Sequence, residues 1–129
     1  MTMPFERTRS LRWGHEVLGE IRDDAAVADK DRAKADELLR TYPSPSTVTD
    51  WIQEDVPCIP AVAAAAIEET GTLMRSILMS EVCAEPLRRS LTFTLRHFPE
   101  PGTAVPWAKC SAAWTIATWL LPENQYDRR

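Results

Sequence analysis

Apolar residues recur along this chain at the spacing of one helical face, and prolines separate the segments that show this pattern. The first helix is predicted to begin at Pro4, because a missing N–H costs nothing in a first turn. Its apolar face consists of Leu11, Gly14, Val17, Leu18 and Ile21. Asp23 and Asp24 oppose the helix dipole and predict the end of this helix.

Two shorter helices are predicted next. Asp29 can cap the second helix, and Pro43 ends it because the residue before a proline is pushed out of the α region. Its buried stripe consists of Asp31, Ala35, Leu38, Leu39 and Tyr42. After the Ser44-Pro45 bend, we expect Ser46 or Thr47 to cap a third helix.

A long alanine-rich helix is predicted from Pro60 to about Cys83, with Gly71 at a close helix–helix contact. The next helix begins at Glu85-Pro86. Its apolar stripe consists of Leu87, Leu91, Leu95 and Phe98. Residues 91–95 also alternate as a strand would, but the matching segment in the first half favours a helix.

The last predicted helix runs from Pro106 to residue 121 and is apolar almost all round. Such a helix is either central to a core or covered by a partner. Pro122 ends it, and residues 123–129 form a polar C-terminal tail.

One motif occurs twice at a constant offset of 56 residues, since 96 − 40 = 56 and 107 − 51 = 56. The copies run from Leu39 to Trp51 and from Leu95 to Trp107, with the pattern Leu-Arg-x-aromatic-Pro-x-Pro-x-Thr-x-x-x-Trp. We predict an all-α compact bundle of about six helices in one domain, residues 1–122. It is built from two degenerate helix-helix-PxP-helix repeats, at about 4–57 and 60–122.

The repeated motif has two interpretations. In the structural one, which we favour, the aromatic residue packs on its own helix, the prolines stop the helix and the tryptophan anchors the core. In the functional one, the motif forms an exposed recognition surface. The candidate partner-binding residues are Arg40, Tyr42, Arg96, His97, Phe98, Glu100, Trp107 and Trp119.

Two short motifs carry a family resemblance. The segments Glu6-Arg7-Thr8-Arg9 and Leu38-Leu39-Arg40-Thr41-Tyr42-Pro43 resemble a family of small uncharacterised proteobacterial proteins. Its members have an N-terminal Glu-Arg-Thr-Arg motif and a Leu-Leu-Arg-His-Tyr-Pro motif. This chain has Thr41 where the family has histidine, and the resemblance implies no particular activity.

Composition narrows the function classes. The net charge of −4 argues against unaided binding to nucleic acid or an anionic membrane and is compatible with a basic protein partner. Three widely spaced cysteines indicate neither a zinc site nor a redox pair, and we expect no metal or cofactor. No signal peptide or membrane span is expected, which predicts a cytoplasmic protein.

These observations favour a small non-catalytic protein-binding module of a bacterium, such as an inhibitor, an immunity protein or a factor of phage defence. A homodimer is a further option. The alternative is a nucleic-acid-associated regulatory factor using an arginine-rich face. Its residues would be Arg7, Arg9, Arg12, Arg22, Arg40, Arg88, Arg89 and Arg96. An enzyme with His15 or His97 at the repeat interface is the third, least favoured hypothesis.

Overall fold

Helices make up nearly all of the computed structural model, which describes residues 4–53 and 59–108. The helices are α1 (Pro4–Asp23), α2 (Asp29–Leu39), α3 (Pro45–Gln53), α4 (Ala61–Ser80) and α5 (Glu85–Leu95), followed by a 3-10 turn (Val105–Ala108). These residues contain no β-strand, so the described chain is all-α, with five helices where about six were predicted. The predicted last helix lies largely outside the described residues, and the tail at 123–129 lies wholly outside them.

The helix starts follow the sequence signals with two differences. α1 begins at Pro4 and α5 at Glu85, as predicted. The cap of α3 is Ser44 rather than Ser46 or Thr47, because the Ser44 hydroxyl accepts the Thr47 N–H at 3.2 Å. α2 begins at Asp29 itself, so the residue predicted as its cap lies in the first turn.

The end of α4 comes earlier than predicted. This helix ends at Ser80 and not near Cys83, because Glu81 adopts a left-handed conformation with φ of 59°. The Glu81 N–H donates to the Ile77 carbonyl at 3.1 Å, and the Ser80 hydroxyl donates to the same oxygen at 2.8 Å. The last turn therefore closes on itself without glycine, the residue that usually permits this conformation.

The two long helices organise the core. α1 packs against α2, α3, α4 and α5, while α4 packs against α1, α2, α5 and the 3-10 turn. Their fully buried side chains include Leu11, Leu18, Ile21, Ile67, Met74 and Ile77. Burial of each such side chain stabilises the fold by about 1.5–3 kcal/mol. None of the helices in residues 4–53 and 59–108 is long and apolar enough to cross a bilayer.

Two aromatic rings are seated against glycines of the long helices. Tyr42 and Phe98, which follow α2 and α5, are 4% and 5% exposed. A Cβ at Gly14 would lie 2.1 Å from the Tyr42 hydroxyl oxygen, and one at Gly71 would lie 3.3 Å from Phe98 Cε2. The Tyr42 hydroxyl also donates to the carbonyl of Leu11 on α1. Gly71 thus marks a close contact, as predicted, although its neighbours are the Phe98 ring and the Arg75 guanidinium and not a second helix.

Two charged side chains of α4 hold the chain that follows α5. Glu68 accepts the backbone N–H groups of Gly102 at 3.1 Å and Ala104 at 2.9 Å. The Arg75 guanidinium donates to the Pro99 carbonyl at 2.9 Å. These bonds satisfy backbone groups in a segment whose prolines prevent a helix from doing so.

Substitution of two glycines of α1 tests the packing of the Tyr42 ring against Gly14. Gly14→Ala should destabilise the chain by about 1–3 kcal/mol, because the new methyl group displaces the Tyr42 ring. Gly19→Ala should instead stabilise it by about 0.5–1 kcal/mol, because it removes a helical glycine. At Gly19 a Cβ meets only the flexible Arg22 guanidinium, at 3.9 Å. Urea unfolding measures both, and equal values would contradict this packing.

Burial raises the pKa of the Tyr42 phenol well above its ordinary value. The buried, neutral phenol therefore favours the folded chain. Because the folded pKa exceeds the unfolded value of about 10, its contribution to the free energy of unfolding is complete below a pH of about 10 and is lost as pH rises above it. In a Tyr126→Phe background, where Tyr42 is the one remaining tyrosine, phenolate absorbance should appear only as helical circular dichroism is lost. A phenolate that forms at the ordinary pH while the helices persist would contradict burial of this hydroxyl.

Candidate functional site

α1 and α5 run in opposite directions and leave a groove between them, which we call the α1–α5 groove. At one end the Ala84 N–H donates to Asp24 at 2.9 Å, and at the other His97 lies 3.4 Å from Glu6. The groove has a volume of about 320 Å³. It is lined by Trp13, Glu16, Val17, Glu20, Arg89, Ser90, Phe93 and Thr94.

Two aromatic side chains form its apolar walls. Phe93 is 55% exposed, and Trp13 is half-buried. An arginine lies over each ring: Arg9 Cζ is 4.9 Å from the Trp13 centroid, and Arg96 Cζ is 5.5 Å from the Phe93 centroid. The helical spacings i,i+4 and i,i+3 bring each pair together. Tryptophan and arginine are enriched among the residues that dominate binding at protein interfaces.

Carboxylates continue the groove toward the C-terminal end of α1. A shallower depression of about 550 Å³ shares Glu16 and Glu20 with the groove and adds Asp23 and Asp24. The Ser90 hydroxyl donates to Glu20 at 3.0 Å and fixes its orientation. The hydrogen bond from the Arg22 guanidinium holds the pKa of Asp23 below its usual value, so this carboxylate stays charged.

The groove therefore has a charge order along its length. Arg9 and Arg96 lie at one end, the two rings lie in the middle, and Glu20 and Asp23 lie at the other end. In the part of the chain that the structure describes, no three histidine, cysteine or acidic side chains converge as metal ligands would. The arrangement suits contact with a surface that carries charges of both signs and an apolar side chain.

A second groove lies between α2 and α4. Its lining residues are offset by 56 sequence positions from residues that line the α1–α5 groove. This counterpart groove of about 270 Å³ is lined by Lys34, Glu69, Thr72, Leu73 and Ser76. Each of these five residues lies 56 positions from a residue that lines the α1–α5 groove, for example 13 + 56 = 69 and 90 − 56 = 34. The residue types differ: Glu69 takes the place of Trp13, and Lys34 bridges to it at 2.8 Å.

The counterpart groove is thus crossed by ion pairs where the α1–α5 groove has rings. Lys34 also lies 3.6 Å from Glu37, whose position corresponds to Phe93 because 93 − 56 = 37. The favourable contacts with Glu69 raise the pKa of Lys34, so the amine is fully charged at neutral pH. Of these two grooves, the α1–α5 groove is the one lined by aromatic rings.

The structure separates the candidate partner-binding residues into two groups. Tyr42, Phe98 and Trp107 are buried, at 4%, 5% and 1% exposure. A buried side chain cannot contact a partner in the folded chain, so burial supports the structural interpretation of the motif and removes these three from the candidate surface. One part of that interpretation was wrong, because Tyr42 and Phe98 pack on the long helices and not on their own. Arg40, Arg96 and Glu100 are exposed, and His97 is half-buried. Trp119 lies outside the described residues.

Sequence reasoning missed Trp13 and Phe93, and it considered Arg89 only for the arginine-rich face of the nucleic-acid alternative. One signal was present: Phe93 lies off the apolar stripe of α5, which is formed by Leu87, Leu91 and Leu95. An aromatic residue outside the stripe of an amphipathic helix is exposed unless another element covers it. That α5 lies beside α1 was not readable from this spacing.

The structure weakens the hypothesis of an arginine-rich face that binds nucleic acid. Of the eight arginines in that hypothesis, Arg22, Arg40, Arg88 and Arg89 each lie within 4.0 Å of a carboxylate. Arg9 and Arg96 lie over rings of the groove. Paired arginines attract phosphate less, since the carboxylate offsets their charge.

Histidine and cysteine side chains are the groups that the enzyme hypothesis would use. Nδ1 of His97 is buried and has no hydrogen-bond partner among the described residues, so no hydroxyl or thiol there forms a nucleophile–base pair with it. Burial raises the pKa of the Cys83 thiol, and the Asp24 carboxylate raises it further, which disfavours the reactive thiolate. Cys58 and Cys110 lie outside the described residues.

Exposure makes Phe93 a clean probe of the groove. Phe93→Ala should change the unfolding free energy by less than about 1 kcal/mol, because surface side chains contribute little to folding. Phe98→Ala should cost about 3–5 kcal/mol, because it opens a cavity between α1 and α4. Urea unfolding of the two variants measures the contrast, and a comparable loss for both would show that Phe93 is a core residue.

The chain was compared with known proteins in three ways. No family model matches it, and neither the curated proteins nor the solved structures contain a match. The resemblance to small proteobacterial proteins therefore stays a prediction. What the protein does must be inferred from the α1–α5 groove itself.

Proposed function

We propose that the protein is a small non-catalytic, cytoplasmic protein-binding module of the inhibitor or immunity type, which acts by occupying a partner's surface through the α1–α5 groove. The observation that carries this proposal is the pair of rings, Trp13 and Phe93, each covered by an arginine. Aromatic and arginine side chains contribute most of the energy at many interfaces. In this proposal the α1–α5 groove, and not the repeated motif, is the recognition surface.

The chemistry of the groove defines what the partner presents. An apolar side chain inserted between Trp13 and Phe93 would displace water from both rings and bury the exposed part of Phe93. Glu16 and Glu20 would then face basic side chains of the partner, in keeping with the net charge of −4. Because Glu16 has no ion pair among the described residues, it can pair with the partner without breaking one.

We also infer that the fold consists of two degenerate repeat halves, and this bears on the function. The principal packing pairs agree with that arrangement: α1 contacts α2 and α5, and correspondingly α4 contacts α5 and α2. The two grooves at equivalent positions support it further. A function specific to one half belongs where the halves differ, and the largest difference in the grooves is aromatic against charged lining.

The nucleic-acid alternative has weaker support. Four of its eight arginines are paired with carboxylates, and the depression beside the groove is acidic. Phosphate would be repelled from that end of the surface. We therefore favour a protein partner.

An affinity experiment with matched variants tests the proposed function. The baits are the natural chain, Phe93→Ala, and Glu37→Ala at the corresponding position of the counterpart groove. A partner that binds the groove should be retained by the natural chain and by Glu37→Ala, and its affinity for Phe93→Ala should fall by about 30-fold, the loss typical of a hot-spot residue.

The interaction is then measured with purified proteins, so that adhesion of unrelated proteins does not count as support. Equal binding of the partner to all three baits would place its site outside the groove. Circular dichroism of the three baits confirms that each is folded.

A further inference from the structure

We propose that a second copy of this chain binds the α1–α5 groove, with the two grooves facing each other in opposite directions about a two-fold axis. This inference rests on the proposed function, because it names one partner of the same groove. It follows from the order of charges along the groove, which is complementary to its own reverse.

The charge order runs from basic through aromatic to acidic. Arg9 and Arg96 are exposed and form the basic end. The acidic end consists of Glu20 and Asp24 together with Asp23, which is paired with Arg22. Along α1, the fourteen steps from position 9 to position 23 correspond to about 21 Å at 1.5 Å per residue, so the two ends are separate charge clusters.

A two-fold axis requires a self-complementary surface, in which each contact occurs twice with the roles exchanged. Reversal of the groove direction places the basic end of one copy over the acidic end of the other. If the axis crosses α1 between positions 14 and 15, Arg9 of each copy faces Glu20 of the other, since 9 + 20 = 13 + 16 = 29. The same register brings each Trp13 beside the other copy's Glu16.

The rings would then lie in the middle of the interface and be covered from both sides. Phe93, which is 55% exposed in the single chain, would lose contact with water. The arginines over the two rings keep their cation–π contacts while their charges face the opposite carboxylates. This charge arrangement has no equivalent in the counterpart groove, where Lys34 and Glu69 are already paired with each other.

The size of the face predicts a reversible dimer. Helices of 20 and 11 residues, each about 10 Å wide, present a face on the order of 500 Å². This is smaller than the roughly 800 Å² per partner of a stable complex, so the dimer should dissociate on dilution. A different protein that uses the same groove would compete with self-association, and the two would be mutually exclusive.

Charge exchange tests the proposal by sedimentation and size-exclusion over a concentration series. The basic-end variant carries Arg9→Glu and Arg96→Glu, and the acidic-end variant carries Glu20→Arg and Asp23→Arg. Each alone should associate at least about ten-fold more weakly than the natural chain, because like charges then face each other twice. An equimolar mixture of the two should restore association, because both contacts again join opposite charges.

A control variant separates local charge from net charge. Lys30→Glu with Ala33→Glu and Ala65→Glu, at exposed positions of α2 and α4, gives the same net charge as the basic-end variant, since −4 − 4 = −8. It should associate as the natural chain does. Restored association in the mixture also shows that both groove variants are folded.

Three outcomes would overturn this inference: a natural chain that is monomeric at all concentrations, association that survives in both groove variants, or variants whose mixture stays monomeric. None of these outcomes bears on the affinity experiment with Phe93→Ala, so self-association can fail while the proposed function stands. Loss of retention by Phe93→Ala together with a monomeric natural chain would assign the groove to a different protein.

Discussion

The contact between two aromatic rings and two glycines is the constraint on which the rest of this fold depends. Tyr42 follows α2 and Phe98 follows α5, so each ring brings a short helix against the long ones. The absence of a side chain at Gly14 and Gly71 lets these rings reach the helix backbone. Phe98 also lies against Gly14 of α1, so this packing places the end of α5 beside the helix that forms the other wall of the α1–α5 groove.

The two grooves differ in side chains more than in backbone. Both grooves lie between one long and one short helix, at positions 56 residues apart. In one groove a lysine and a glutamate neutralise each other, and such an exposed pair contributes little stability. In the other, the rings with their arginines and the Glu16 carboxylate are the groups on which the proposed contact with a partner rests.

Local signals in the sequence predicted the helices well, and non-local contacts explain what was missed. Prolines at 4 and 86 marked helix starts, and the stripe through Leu87 and Leu91 predicted a buried face correctly. The groove was not predictable, because it depends on which helices become neighbours, and helical spacing carries no such information. The left-handed Glu81 was missed because its sequence lacks the glycine that commonly signals this turn.

The ion pair across the counterpart groove also determines valence. A molecule in which two equivalent grooves each bound a second copy would extend into chains instead of closing into a pair. Among the described residues, the bridge from Lys34 to Glu69 occupies the counterpart groove and distinguishes it from the α1–α5 groove. Assembly through that groove would therefore stop at a closed pair, with a stoichiometry of one partner per chain.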